Sequence, residues 1–239
     1  MQWIIGDIHG CAFTLHKLLS QVFAKDTSPN FVFLGDYVDR GLYSKQVIGI
    51  LTDLYKTYPC VFLLGNHDDM FVHERRTIYN ELDFPKSLIQ ISRGKENSET
   101  HRSIGPVADK EVIEFFHKLK LHHRDGELYF AHAWFGNTPM NYLWSRPPHE
   151  WAKHVVPWCK FFKCTGAFFG HTPARDNLMG INRIFHARTI CRSDNQEYNI
   201  TMMDTMGQLN TESGLSAYCP QDNTAIFVNL DQRDITESN

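Results

Sequence analysis

Trp3-Ile4-Ile5-Gly6-Asp7-Ile8-His9-Gly10 opens the chain with a short apolar run that breaks into a polar, glycine-flanked turn. The same design recurs twice. Phe31-Val32-Phe33-Leu34 runs into Gly35-Asp36-Tyr37-Val38-Asp39-Arg40-Gly41, and Cys60-Val61-Phe62-Leu63-Leu64 runs into Gly65-Asn66-His67-Asp68-Asp69. Behind the first turn, Leu15, Leu18, Leu19 and Val22 repeat at helical spacing; behind the second, Val47, Leu51, Leu54 and Tyr58 share one helix face, and a third helix follows the third turn. Uninterrupted apolar strands alternating with amphipathic helices predict an α/β fold with a parallel sheet covered on both faces. Ligand crevices in such sheets lie beyond the carboxyl ends of the strands, so the three turns should converge there as exposed crevice turns.

Outward from these turns the signal changes. Residues 93–106 are polar and aperiodic, which predicts a surface loop, and a charged amphipathic helix follows near Asp109 to Lys120. Strand-like pieces come next at Glu127 to Ala133, Ala167 to Gly170, Arg183 to Ile190, Asn199 to Met203 and Thr224 to Leu230, with weak helix signal between them. At 239 residues and 42% hydrophobic composition the chain is expected to form one domain over 1–239. A net charge of -3 supplies no general basic field, so nucleic acid is disfavoured as a partner. Its longest apolar run, Cys60 to Leu64, is far short of the ~20 residues that cross a bilayer, and Asp7 comes too early for a signal peptide. Six scattered cysteines without a Cys-x-x-Cys pair read as reduced core residues, and a cytoplasmic protein is expected.

Asp7 and His9, two apart in one turn, bring an oxygen and a nitrogen donor to the same point. Asp36 and Asn66 add a carboxylate and an amide oxygen from the next two turns. His132, in Phe130-Ala131-His132-Ala133, and His171, in Phe168-Phe169-Gly170-His171-Thr172, each end an apolar run. Six such donors suit two metal ions. Oxygen and imidazole without thiolate favour Mn²⁺, with Fe and Zn²⁺ also compatible, over a cysteine-rich zinc site or an all-oxygen Mg²⁺ or Ca²⁺ site. Two divalent ions against Asp7, Asp36 and one bridging hydroxide leave a small positive excess that attracts phosphate. Arg40 and Arg146 offer planar forks for its oxygens.

These motifs resemble those of the phosphoprotein phosphatase family of calcineurin-like metallophosphatases: Gly-Asp-x-His-Gly, Gly-Asp-x-Val-Asp-Arg-Gly and Gly-Asn-His-Glu, then two later His motifs. The likeness runs from residue 3 to about 173. Trp144-Ser145-Arg146 and Phe169-Gly170-His171-Thr172-Pro173 are most similar to the compact bacterial and bacteriophage lambda branch. The resemblance implies a β-sandwich flanked by helices. It also implies that Asp7, His9 and Asp36 hold one metal, and that Asp36, as bridge, joins Asn66, His132 and His171 around the second. His67 would be the acid at the leaving group, Asp39 its orienting partner, and Arg40 and Arg146 the phosphate clamps. The implied activity is hydrolysis of phosphoserine and phosphothreonine in proteins by a two-metal-activated hydroxide, with no phosphoenzyme.

Several residues depart from that pattern. Asp68 stands where Glu is usual, a form that resembles the diadenosine tetraphosphate hydrolases, whose activity is the alternative reading; the intact Asp39-Arg40 pair argues for the phosphatase. Retention of His67 with that pair also argues against a metal-binding interaction module without turnover. Ala133-Trp134 follows His132 where glycine is usual, which predicts a bulky ring beside the metal pocket. A segment from Arg175 looks like an insertion, and Asp204-Thr205-Met206 arrives late in place of a closing Asp-Thr-Gly. His149 and His154 are five apart rather than the four a zinc-protease helix needs, and are rejected as a metal pair. Cys159 and Cys164 are read as core thiols, and the remaining histidines, His101 among them, as residues without a nameable partner.

Overall fold

The computed structural model describes residues 1–78, 83–88, 98–148, 150–173, 184–191, 193, 195–206, 209 and 212–236. The Arg175 segment, Arg183, His149 and residues 93–97 of the expected loop lie outside them. Among the described residues, the strands form two five-stranded sheets. The first has the order β10-β9-β1-β2-β3, with β1 (Gln2–Ile5), β2 (Asn30–Phe33) and β3 (Cys60–Phe62) parallel and β9 (Gly214–Cys219) and β10 (Thr224–Asn229) antiparallel. The second has the order β4-β5-β6-β8-β7. There β5 (Leu128–Ala131), β6 (Gly166–Phe169) and β8 (Gln196–Met202) are parallel, with β4 (His122–Asp125) and β7 (Phe185–Cys191) antiparallel at its edges.

Alternation of side chains along each strand explains why the runs are continuously apolar. Trp3, Ile5, Phe31 and Phe33 pack under Leu15, Leu18, Val47 and Leu51 of α1 (Ala12–Lys25) and α2 (Ser44–Thr57). Ile4, Val32, Leu34 and Leu63 point the other way, onto Phe130, Phe168 and Met203 of the second sheet. The far face of that second sheet packs Tyr129, Phe169 and Ile200 against Val155 and Cys159 of α7 (Val155–Phe161). The expected double covering of the parallel sheet is therefore helices on one face and a second sheet on the other, a β-sandwich flanked by helices.

The aperiodic stretch is not all loop: α4 (Ser98–Ile104) lies inside it, after α3 (Asn66–Ile78) and before α5 (Lys110–His117), which falls within the expected helix. The short α6 (Pro139–Trp144), capped by Thr138 through the Asn141 N–H at 3.2 Å, and α7 occupy the region of weak helix signal. The N-terminus of α1 has Cys11 at its cap, whose side chain accepts none of the helix's free N–H groups. Asp234 replaces that cap from the other end of the chain, accepting the Phe13 and Thr14 N–H groups at 2.9 and 2.8 Å and the Thr14 hydroxyl at 2.6 Å. Among the described residues no helix is long and apolar enough to cross a membrane.

Candidate metal centre

Six parallel strands end at one place. Asp7 lies just past β1, Asp36 past β2, Asn66 past β3 at the start of α3, His132 directly after β5, His171 after β6 and Asp204 after β8. All six expected donors meet there. Contrary to the expectation of exposed turns, their side chains are buried, because the second sheet and its loops close over the first. His9, Asp36, Asp39, Arg40 and His171 all have positive φ, a left-handed backbone that non-glycine residues rarely take and that recurs at functional turns. Glycines make room for the carboxylates: a Cβ on Gly65 would lie 2.1 Å from Asp36 Oδ1, and one on Gly170 2.2 Å from Asp7 Oδ1.

The hydrogen bonds define which imidazole nitrogens face the centre. His9 Nδ1 donates to the Val38 carbonyl at 3.1 Å and His132 Nδ1 to the Leu34 carbonyl at 2.8 Å, since a carbonyl can only accept. Each ring is left with its Nε2 lone pair turned to Asp36, His9 at 3.6 Å from Oδ2 and His132 at 3.5 Å from Oδ1. His132 Nε2 and His171 Nδ1 also converge on Asn66 Oδ1 at 3.0 and 2.8 Å, while His171 Nε2 is buried with no hydrogen-bond partner. Lone pairs aimed at carboxylates, with an orphaned buried nitrogen among them, form a donor set that fits cations. Two such groups can be drawn, His9-Asp36-His67 and Asp7-Asp36-His132, and Asp36 belongs to both.

Electrostatics agree with that reading. Burial, and then the Arg40 charge, push His9 well below its ordinary value; burial lowers His132, and burial with His132 beside it takes His171 down to about 3. The lowered values favour the uncharged form of these rings, which is the form that ligates. Burial works to raise Asp36, but the imidazoles of His132, His67, His9 and His171 outweigh it and hold the carboxyl below its ordinary range. Asp7 goes the other way, driven up by burial and by the carboxylates of Asp204 and Asp36. Such crowding calls for positive charge.

At the rim, His67 Nδ1 bonds Asp39 Oδ2 at 2.7 Å. Burial disfavours its charged form, but Asp36 and Asp39 outweigh that and raise its pKa. Arg40 donates from Nη1 to the Met206 carbonyl at 2.9 Å. Asp36, Arg40, Asn66, His67, Glu99, Trp144, Arg146 and His171 line a cleft of about 470 Å³. Both expected clamps therefore reach the cleft.

Sequence reasoning missed four contributors. Asp68 accepts the N–H groups of Asp36, Tyr37 and Gly65 at 2.8, 2.9 and 2.9 Å, bracing two of the turns from below; burial and the Asp36 charge push its carboxyl up to about 8. Asp204, buried beside Asp7, is raised to about 6 by burial. Thr100 bonds Asp39, and Glu99 lines the cleft. Nothing in the sequence marks Thr100 and Glu99; Asp68 and Asp204 stood out only as departures from the family's motifs, without a role. Trp134 is not at the pocket: it is buried among Phe135, Trp158 and Phe169, and the ring beside His171 is Trp144. His101 has a partner after all, Glu74 at 2.9 Å.

Fold and site together describe a buried oxygen-and-imidazole centre at the seam of two sheets, and the model of the calcineurin-like phosphoesterase family matches residues 2–175. The chain belongs to that family. It is 43% identical over 84 residues to the serine/threonine-protein phosphatase PP2A-like PPG1 of Candida albicans, a match that covers 33% of this chain and only 19% of that protein. In fold it is similar to a metallophosphoesterase from Sphaerobacter thermophilus (TM-score 0.60, 15% identity, 96% of this chain and 88% of that one). It is also similar to a putative diadenosine tetraphosphatase (TM-score 0.58, 19% identity, 95% and 92%).

Proposed function

We propose that the protein is a phosphomonoester hydrolase that removes phosphate from phosphoserine and phosphothreonine in a protein or peptide. The observation that carries this reading is Asp36, whose two oxygens face His9 Nε2 and His132 Nε2 from opposite sides, close to the His67–Asp39 pair. Asp7, His9 and Asp36 would hold one divalent cation, and Asp36, Asn66, His132 and His171 a second, with Mn²⁺ best suited to the donors. When bound, two such ions supply the Lewis-acid charge that activates water and offsets the phosphoryl oxygens. Arg40 and Arg146 orient the phosphate, Arg40 with its guanidinium steadied by the Met206 carbonyl. His67, bonded to Asp39 through Nδ1, keeps its Nε2 proton for the leaving alkoxide, and the two carboxylates around it favour the charged ring that a general acid needs. Six thiols without a disulfide support a reducing, cytoplasmic setting.

The dinucleoside polyphosphate reading draws on Asp68 and on the name of one structural neighbour. Glu99 argues against it, because a carboxylate on the cleft wall repels additional phosphates. Side-by-side turnover of a phosphopeptide and diadenosine tetraphosphate with added Mn²⁺ decides. The phosphopeptide is expected to be preferred in kcat/KM; a clear preference for the dinucleotide overturns the proposal, and turnover of neither leaves only the interaction-module reading.

A further inference from the structure

Asp39 is held by a residue outside every motif. It is buried, has a φ of 70°, and offers one carboxylate oxygen to His67 Nδ1 at 2.7 Å. Its other oxygen, Oδ1, accepts the hydroxyl of Thr100 at 2.6 Å, and the Asp39 N–H donates back to the same hydroxyl oxygen at 2.8 Å. Ser44 Oγ stands 3.3 Å from that oxygen. Because the Thr100 proton is given to Asp39, the hydroxyl oxygen is an acceptor toward Ser44 as well as toward the Asp39 N–H. The bond accounting of a fully buried threonine is thereby complete, and its orientation has one solution.

We infer that Thr100 is a positioning residue for the proposed reaction: its two-point clamp on Asp39 fixes the carboxylate rotation that aims His67 into the cleft. A carboxylate free on one side can turn about its terminal torsion, which is broad. Pinning Oδ1 leaves Oδ2 with a single place, against the imidazole, and pinning the backbone N–H keeps the left-handed turn that carries both Asp39 and Arg40. The inference rests on the reading of His67 as the acid, and α4 is its physical carrier: the same short helix sets Glu99 on the cleft wall and Thr100 behind Asp39.

Thr100→Val keeps the volume and removes both bonds, whereas Thr100→Ser keeps the bonds. Misplacement of a catalytic group by such a change can cost up to about 100-fold. Thr100→Val is therefore expected to lower kcat on a phosphopeptide by about 10- to 100-fold with KM little changed, and to have a much smaller effect on p-nitrophenyl phosphate, whose leaving group needs little acid help. Thr100→Ser should restore most of the rate. Bound metal and melting temperature are measured on every variant, so that a folding defect is seen directly. The deciding comparison is the His67→Asn background: Thr100→Val should cost almost nothing further there. An undiminished loss in that background, or no loss in the parent chain, overturns the assignment of Thr100 while leaving His67 as the acid. Equal losses on both esters from His67→Asn overturn the acid instead, and the background comparison still decides whether Thr100 acts through that ring.

Discussion

Asp36 accepts the His67 backbone N–H at 2.9 Å through Oδ1, and the same carboxylate faces the Nε2 atoms of His9 and His132 from its two sides. One oxygen for each donor group is what a bridging ligand requires. Asp36→Asn replaces one of the two with an N–H₂ that can only donate, so the variant is expected to retain fewer than two metals per chain by elemental analysis. Its activity should fall by about 100-fold or more, beyond what loss of an outer partner of a metal ligand costs. Asp68 sits one layer below, with its two oxygens divided among three backbone donors. Asp68→Asn keeps the shape but turns an amide N–H₂ toward at least one buried N–H. An unsatisfied buried donor costs about 1–3 kcal/mol, and urea unfolding should register a loss of that size.

At the scale of elements, α1 depends on a residue far from it in sequence. Its own cap position is Cys11, whose thiol bonds the His9 carbonyl and leaves the first turn's N–H groups to Asp234. Loss of an N-cap acceptor costs about 0.5–2 kcal/mol. Asp234→Ala should destabilise by that amount in chemical denaturation and expose the first-turn amides to faster hydrogen exchange, with the bound metals unchanged. This contact was not legible in the sequence, since nothing local to Cys11 points to residue 234. Strand β4 was illegible for a related reason: His122-His123-Arg124-Asp125 has no apolar residue, and as an edge strand it gains its order from β5 rather than from burial. The first three strands could be read because each is packed on both faces and so has no reason to alternate. Thr100 was hidden in a polar, aperiodic stretch, because a side chain chosen to bond one buried carboxylate leaves no period behind. The motif donors were legible because each lies in the turn behind a strand end, within four residues of it, where chain order and spatial convergence coincide.

For the whole molecule, the donors divide between the sheets. Asp7, His9, Asp36 and Asn66 follow strands of the first, while His132 and His171 follow strands of the second; the His171 N–H reaches across to both Asp7 oxygens at 3.2 and 3.1 Å. On the proposed ligand assignment these buried donors would hold their ions as part of the fold, so removal of metal is expected to do more than stop catalysis. A ligand at 100 times its dissociation constant stabilises by about 2.7 kcal/mol, and for a chain of this size each kcal/mol moves the melting temperature by about 2–4 °C. Chelation should abolish turnover and lower the melting temperature by several degrees per site lost, and Mn²⁺ should restore both. The dry seam of Ile4, Val32, Leu34, Phe130, Phe168 and Met203 between the sheets then acquires a second meaning. It works as a gauge block: the thickness of its close-packed hydrocarbon sets the gap between the two halves of the proposed ligand set, and any affinity of the centre for a cation would be machined by side chains that never meet one.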